Sequence, residues 1–521
     1  MERPERPYPE MLWSGWGDPS KATTLPDAVR GLLRQGLGVE HEGQAAPAIE
    51  SVTLGESRLT ADQASALNAD TSDEARLRHL RGKSTPDLLK IRAGDTAAAP
   101  DGVVTPESHD EVQRLLERCS EERIAVVPFG GGTSVVGGLD PQTEMPRIAL
   151  DLRKLNALAE LDEISRTARL QPGLRVPEAE ALLNPRGYTT GHFPQSYEYL
   201  TLGGAAAARS SGQASAGYGR FDERVVGMKV ATPTGTIALG RAPKSAAGPD
   251  LRQLFLGSEG AFGVITELTV EVAPLPETRV YDGWWFESFA AGAAALRTLI
   301  QDGPTPTVLR LSDEAETALN LARPDEIASG GGGGCLAITG YEGTAANVGE
   351  RRTAVTALLE AAAARRDEAA GASWVEGRYR APYLRDALLD AGALVETLET
   401  VTFWSNLETL YKAVGDALRS ELGSAVVLCH ISHVYRSGAS LYFTVAAAQS
   451  DDPLAQWAKA KQAASDAIIA AGGSITHHHG VGTDHREHYG RQVGPLAIAA
   501  LEAVKDTLDP NRIMNPGVLI P

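Results

Sequence analysis

Between residues 96 and 275 the chain is dominated by short apolar runs set off by glycine and turn residues. Ile124–Pro128, Arg147–Asp151, Val225–Ala231 and Gly263–Val272 are rich in aliphatic residues over the length of a strand, and each predicts one. Between the runs, Ser108–Arg118 spaces its apolar residues as a helix does, with Ser108 placed to cap it. Strands interleaved with helices indicate a mixed unit, and α+β is the class expected for the chain. Residues 1–95 mix short helical patterns with proline and charge, open on Trp13-Ser14-Gly15-Trp16-Gly17, and read as an N-terminal extension packed on the unit at 96–275. A second mixed unit is expected over 276–460. It has helices predicted at 343–370 and 383–400, a strand pair near 424–449, and a five-glycine run, Gly330–Gly334, that predicts a mobile loop. From Asp452 to about Asp509 the pattern is helical apart from a histidine stretch, and Pro510 stops it; residues 461–521 are set apart as a C-terminal segment.

Composition narrows the partners. The 521 residues carry 49 basic and 67 acidic side chains, a net charge of −18, which opposes binding along a nucleic acid backbone. A local basic pocket for a small anion remains compatible with that surface. Cys119, Cys335 and Cys429 are far apart and form no CxxC pair, which fits a reducing compartment without a disulfide framework or thiolate metal site. Met1–Arg6 lacks a signal pattern, no apolar window reaches the length of a membrane span, and Leu519-Ile520-Pro521 is not a peroxisomal address. A soluble cytoplasmic protein is expected.

Three glycine-rich segments carry the first chemistry. Pro128-Phe129-Gly130-Gly131-Gly132-Thr133-Ser134 follows a predicted strand, and consecutive glycines let backbone N–H groups converge on an anion while the hydroxyls add donors. It is neither a Walker loop nor a Rossmann fingerprint, since no Gly-Lys-Ser/Thr follows and Pro141 interrupts the place of the helix. The second segment contains Pro194, Ser196, Thr201, Gly203 and Gly204, and continues through small residues to Ala208, Arg209, Ser210 and Ser211. The third contains Glu259, Gly260, Gly263, Val264 and Ile265. In this order the segments resemble the FAD-binding domain of the vanillyl-alcohol-oxidase (p-cresol methylhydroxylase) type. The resemblance implies that these residues bind FAD, the first loop at the pyrophosphate and the other two around the isoalloxazine and adenosine. Members with a covalent flavin carry a linking histidine near the first loop; none stands there in this chain, so a non-covalent FAD is expected.

Histidine is scarce, 11 in the chain, and seven of the 11 fall at 430, 433, 477, 478, 479, 485 and 488. In an extended stretch His477 and His479 point one way and His478 the other, which does not converge three ligands on a metal ion. No metal is therefore expected, although His485 and His488 could add ligands. Packed histidines and a proton-handling or anion-binding wall both remain as readings of the run. Ser474–Gly482 is similar to the Ser-Leu-Ser-His-His-His-Gly-Val-Gly segment of the alkyldihydroxyacetonephosphate synthase family. Trp13–Gly17, Leu309–Asp313, Tyr383–Asp386 and Gly438–Phe443 resemble further segments of that family, so the similarity spans essentially the whole chain.

That resemblance implies a substrate wall on the flavin, with Tyr442, His477, His478 and His479 catalytic and Arg385 and Arg310 binding substrate. The last segment would return to the flavin. It also implies exchange of the acyl group of acyl-dihydroxyacetone phosphate for a fatty alcohol, through an adduct at flavin N5 and without net redox change. A homodimer belongs to the same expectation, and a lipid substrate is compatible with peripheral contact with a membrane. Read from the residues alone, Arg385 could equally form a surface ion pair, Tyr442 a core contact, and Arg310 a pair with Asp313 or Glu314. Thr483–Tyr489 replaces a basic helix of that family, and Asn515-Pro516-Gly517 is nearer the ending of FAD-linked 2-hydroxy-acid dehydrogenases. Oxidation of a 2-hydroxy acid or similar alcohol is the alternative activity.

Overall fold

The computed structural model describes residues 1–4, 9–321 and 334–520. The first unit begins with helix α1 (Thr85–Arg92) and a small parallel sheet of β1 (Gly102–Val104), β2 (Ala125–Phe129) and β3 (Arg147–Asp151), with β3 central. Helix α2 (His109–Glu122) connects β1 to β2. The Ser108 side chain accepts from Glu111 N–H, and Val112, Leu115, Leu116 and Cys119 form its buried stripe. A five-stranded antiparallel sheet comes next, in the order β4 (Leu158–Asp162), β5 (Thr167–Leu170), β8 (Val264–Glu271), β6 (Val225–Thr232), β7 (Gly235–Leu239). Short helix α3 (Leu202–Ala207) packs its small residues beneath it. The C-terminal tail is tied to the same unit, because Val126 N–H donates to Ile513 O at 2.8 Å and Asn515 N–H to Val126 O at 2.9 Å.

The second unit is a seven-stranded antiparallel sheet. Its strands are β9 (Thr278–Phe286), β10 (Val308–Ser312), β11 (Cys335–Gly343), β12 (Arg365–Asp367), β13 (Ala393–Phe403), β14 (Val426–Ile431) and β15 (Gly438–Ala448), in the order β12-β9-β11-β10-β14-β15-β13. Alternation decides its faces. Leu441, Phe443 and Val445 of β15 are buried against α7 (Leu407–Leu422) and α8 (Pro453–Ala470), each such side chain contributing roughly 1.5–3 kcal/mol. Tyr442 and Thr444 point to the opposite face. Helix α4 (Ala345–Ala361) joins that layer, α5 (Glu368–Gly377) and α6 (Ala381–Asp390) pack on the opposite face, and α9 (Arg486–Val493) and α10 (Pro495–Leu508) come after the histidine run. Among the described residues no helix is long and apolar enough to cross a membrane.

Two predicted helices are shorter than expected. The helix read over 343–370 ends at Ala361, and its last third is strand β12 and the start of α5. The helix read over 383–400 ends at Asp390, where Gly392 turns the chain with φ +86° into β13. Its helical spacing was deceptive: Val395, Thr397, Thr400, Val401 and Thr402 supply the β-branched content of a strand. The glycine run expected as a loop lies, apart from Gly334, outside the described residues.

Candidate active site

The loop after β2, the segment 194–211 and the turn before β8 meet along one cleft of about 450 Å³. Gly131 could not be another residue, since a Cβ there would collide with the Tyr199 carbonyl; the loop lies flat on the neighbouring segment and leaves its other side to the cavity. Of the residues assigned to the cofactor from the sequence, all line this cavity except Arg209. Arg209 turns away, donating through Nε to Leu256 O at 2.8 Å and bracing the turn at Gly257.

The opposite wall comes from the large sheet. Ser312 pairs with His430, His430 with Tyr442, and Tyr442 with Glu399, so these positions lie in one row on one face, with Arg310 two residues from Ser312 on that same face. The Tyr442 and His430 rings stack with centroids 4.8 Å apart. Arg310, Glu316, Arg385, His430, His433, Tyr442, His478 and His479 all reach the cavity. The N-terminal segment joins them: Trp16 lines the cavity while its N–H donates to Asp386 Oδ2 at 2.5 Å.

The histidine run is not extended. It bends around Glu399, whose Oε2 accepts from His477 N–H at 2.7 Å and whose Oε1 accepts from His478 and His479 N–H, both at 3.0 Å, and from the Thr476 hydroxyl at 2.6 Å. One buried carboxylate thus anchors three successive peptides. It brings His478 and His479 to the cavity together and leaves His477 behind them, in place of the alternation expected for a strand. A second carboxylate holds the far end of the run: Glu259 accepts from Val481 N–H at 2.8 Å and from Gly482 N–H at 2.9 Å.

The bend also overturns the geometric argument against a metal ion, because His433, His477 and His478 offer ring nitrogens that all lie within 4.8 Å of one another. Their present arrangement is a hydrogen-bonded one. His477 Nδ1 and His478 Nδ1 face each other at 3.0 Å, which needs one donor and one acceptor, and His433 Nδ1 lies 3.0 Å from the Ser211 hydroxyl. His477 Nε2 lies 2.5 Å from the Tyr435 hydroxyl.

Burial sets the protonation states. It pushes His477 well below the ordinary histidine value, lowers His478 as well, and takes His479 down to about 3, so all three imidazoles are neutral at pH 7. Burial raises the Tyr442 phenol to about 12, keeping it protonated. Burial also works against Glu399, but the surrounding imidazoles and the Thr476 hydroxyl outweigh it and hold the carboxyl well below its usual range. For Glu259, burial prevails over the two peptide donors and raises it to about 7.

The two arginines differ. Arg310 is committed, forming an ion pair with Glu316 and reaching His430 Nδ1 at 2.9 Å. Arg385 donates through Nη1 to Lys83 O at 2.6 Å and lies 3.4 Å from Asp386 Oδ1, while its buried Nε has no partner among the described residues. Lys83 also lines the cavity, lowered to about 8 by burial, with its Nζ on the Trp13 and Leu12 carbonyls. Gln213 Oε1 and Ser432 Oγ are further buried cavity-wall atoms without partners among the described residues. A glycine-backed cleft with orphaned polar atoms fits a bound dinucleotide and substrate.

Sequence reasoning did not single out Glu399, Glu316, Tyr435 or Lys83, and left His430 and His433 without a role. The two histidines carried a signal in the C-terminal enrichment. Glu399 carried none while its segment read as a helix.

A family model described as "FAD linked oxidases, C-terminal domain" matches residues 275–519, and one described as "FAD binding domain" matches residues 100–239. The alkyldihydroxyacetonephosphate synthase of Dictyostelium discoideum is 33% identical to this chain, over 99% of it and 94% of that protein. The chain belongs to the alkyldihydroxyacetonephosphate synthase family. A solved structure of an alkyldihydroxyacetonephosphate synthase superposes with a TM-score of 0.84 at 32% identity, covering 97% of this chain and 98% of that one. p-Cresol methylhydroxylase superposes at 0.70 with 17% identity, covering 90% and 98%, a likeness of fold. The chain is an α+β flavoenzyme with FAD as its cofactor.

Proposed function

We propose that the protein exchanges the acyl group of acyl-dihydroxyacetone phosphate for a fatty alcohol. The observation that carries this reading is the cavity wall itself, where Arg385 presents an uncommitted Nε beside a row of neutral imidazoles and a protonated tyrosine. A guanidinium at the cavity wall suits the phosphate dianion, and Lys83 adds positive charge next to it. Arg310, already paired with Glu316, positions His430 and the ring stack on Tyr442 instead.

The loop 128–134, the segment 194–211 and the turn 259–265 would hold FAD, which when bound would supply an electrophilic ring for the chemistry at the substrate carbon. His478 is the group in place to take the proton from that carbon: its Nδ1 is engaged by His477, so Nε2 is left for the ligand. Tyr442, with its proton retained, donates a hydrogen bond rather than acting as the base. The reading assigns no step to a metal ion and takes the flavin as non-covalently bound. A cytoplasmic homodimer, in peripheral contact with the membrane that carries the lipid, belongs to the same reading; the family resemblance supports the homodimer.

The test is label exchange. Purified yellow protein given acyl-dihydroxyacetone phosphate and radiolabelled hexadecanol should yield a labelled ether lipid, with the flavin spectrum oxidised at the end. Anaerobic bleaching by a 2-hydroxy acid, with no labelled ether, overturns the reading in favour of a dehydrogenase.

A further inference from the structure

The proposed exchange leaves a proton to dispose of. The C1 proton is removed and returned, the bond from C1 to the acyl oxygen breaks with its electron pair on the departing carboxylate, and the new bond forms to the alcohol oxygen. The alcohol's hydroxyl proton is therefore released once per turnover. His478 is part-buried at the cavity wall with buried His433 and His477 behind it, so a proton taken up there during turnover needs a route out.

We propose that His478, His477 and Tyr435 form the proton exit, with Tyr435 as its outer member. This rests on the exchange reading above. The three groups are contiguous: His478 lines the cavity, its Nδ1 meets His477 Nδ1 at 3.0 Å, and His477 Nε2 meets the Tyr435 hydroxyl at 2.5 Å. His477 thus reaches no ligand itself and uses both ring nitrogens as links, which explains a buried histidine placed behind the wall. Tyr435 is half-buried, and its hydroxyl faces Arg220 as well as His477, which makes it the least buried member of the line.

A proton arriving at His478 Nε2 displaces the Nδ1 proton to His477 Nδ1. His477 then gives its Nε2 proton to the Tyr435 oxygen, and the phenolic proton passes to water; no atom is lost and no net charge stays behind. Flanking groups fix the line. Arg220 donates to His477 O at 3.2 Å and is paired with Asp222 at 2.7 Å, His433 stacks on His477 at 4.9 Å between centroids, and Glu399 holds the His477 peptide.

Tyr435→Phe tests this with the ring retained. The expected result is a kcat lower by about tenfold, an unchanged KM for both substrates, full FAD content, and a larger solvent deuterium isotope effect on kcat as proton exit becomes limiting. Added imidazole should restore part of the rate. 3-Fluorotyrosine at position 435, which keeps the hydroxyl, should restore turnover, and this guards against a fold defect in the phenylalanine variant. An active wild type with a Tyr435→Phe variant equal to it in kcat and isotope effect overturns the relay alone. So does a variant that raises KM or loses FAD with the isotope effect unmoved. A wild type that performs no exchange overturns the function and the relay together.

Discussion

Replacing Glu399 with glutamine changes one atom of the buried group that shapes the histidine run. The carboxylate takes four donors, one on Oε2 and three on Oε1. A glutamine turned to keep its oxygen at the three-donor position places its NH2 against His477 N–H. That leaves a buried peptide donor unpaired, at a cost of about 1–3 kcal/mol, and weakens each of the other three bonds by roughly 1 kcal/mol through loss of charge. Relief from burying an anion offsets part of this, so a net destabilisation of about 3 kcal/mol is expected. The functional effect should exceed the global one, because the peptides that move carry His478 and His479, and a displacement of ~1 Å at reacting groups costs about 10²-fold. Glu399→Gln is expected to melt a few degrees lower, retain FAD, and lose about 10²-fold in kcat, measured by differential scanning fluorimetry and steady-state exchange. A variant within 1 °C of wild type (about 1 °C corresponding to roughly 1 kcal/mol at this chain length, well under the destabilisation expected) and with unchanged kcat would refute the claim that this carboxylate shapes the site.

Arg385→Ala removes the guanidinium from the cavity wall and should raise the KM for the phosphorylated substrate by about 10²-fold with FAD retained, whereas Arg310→Ala takes one of the partners of Glu316 while His430 remains, and should cost stability first, about 1–3 kcal/mol. Gly131→Ala forces a Cβ into the Tyr199 carbonyl and should abolish FAD retention on gel filtration. Stability should fall below about pH 6.5. Burial lowers His192, His430, His433, His477, His478, His479 and His485, so the unfolded chain binds protons at these positions that the folded one does not. Each contributes stability that is complete above its unfolded value near 6.5 and declines by about 1.4 kcal/mol per pH unit below it. Six buried carboxyls act in the opposite sense, Glu259 raised to about 7, Asp87 and Asp313 to about 6, and Glu180, Glu396 and Asp484 raised as well; the folded chain keeps their protons down toward the ordinary carboxylate range, which blunts the decline without reversing it. Urea midpoints that stay flat from pH 7 to 5 would contradict this.

The cavity floor was legible because it is local: strand, glycine loop and strand stand in sequence from Ile124 to Ile265, and backbone freedom at Gly130–Gly132 is written in the residue type. The wall was legible only through its unusual residues. Three adjacent histidines advertise themselves, yet their directions depend on Glu399, nearly eighty positions earlier in a strand whose alanine, leucine and glutamate content reads equally well as a helix. The same long-range pairing hid Glu316 and Tyr435, each ordinary in its own segment and informative only once β10, β14 and β15 lie side by side. Arg209 misled for the opposite reason, since neighbours in sequence on a turn face opposite sides: Ser210 and Ser211 line the cleft while Arg209, with φ +52°, points out of it.

The central claim is that the bond between C1 and oxygen is the one exchanged. Turnover with a fatty alcohol carrying ¹⁸O in its hydroxyl, followed by mass spectrometry of both products, tests it most directly. The account predicts ¹⁸O wholly in the ether lipid and none in the released fatty acid. Label retained in an ester of the alcohol, or an ether lipid lacking ¹⁸O, would contradict it.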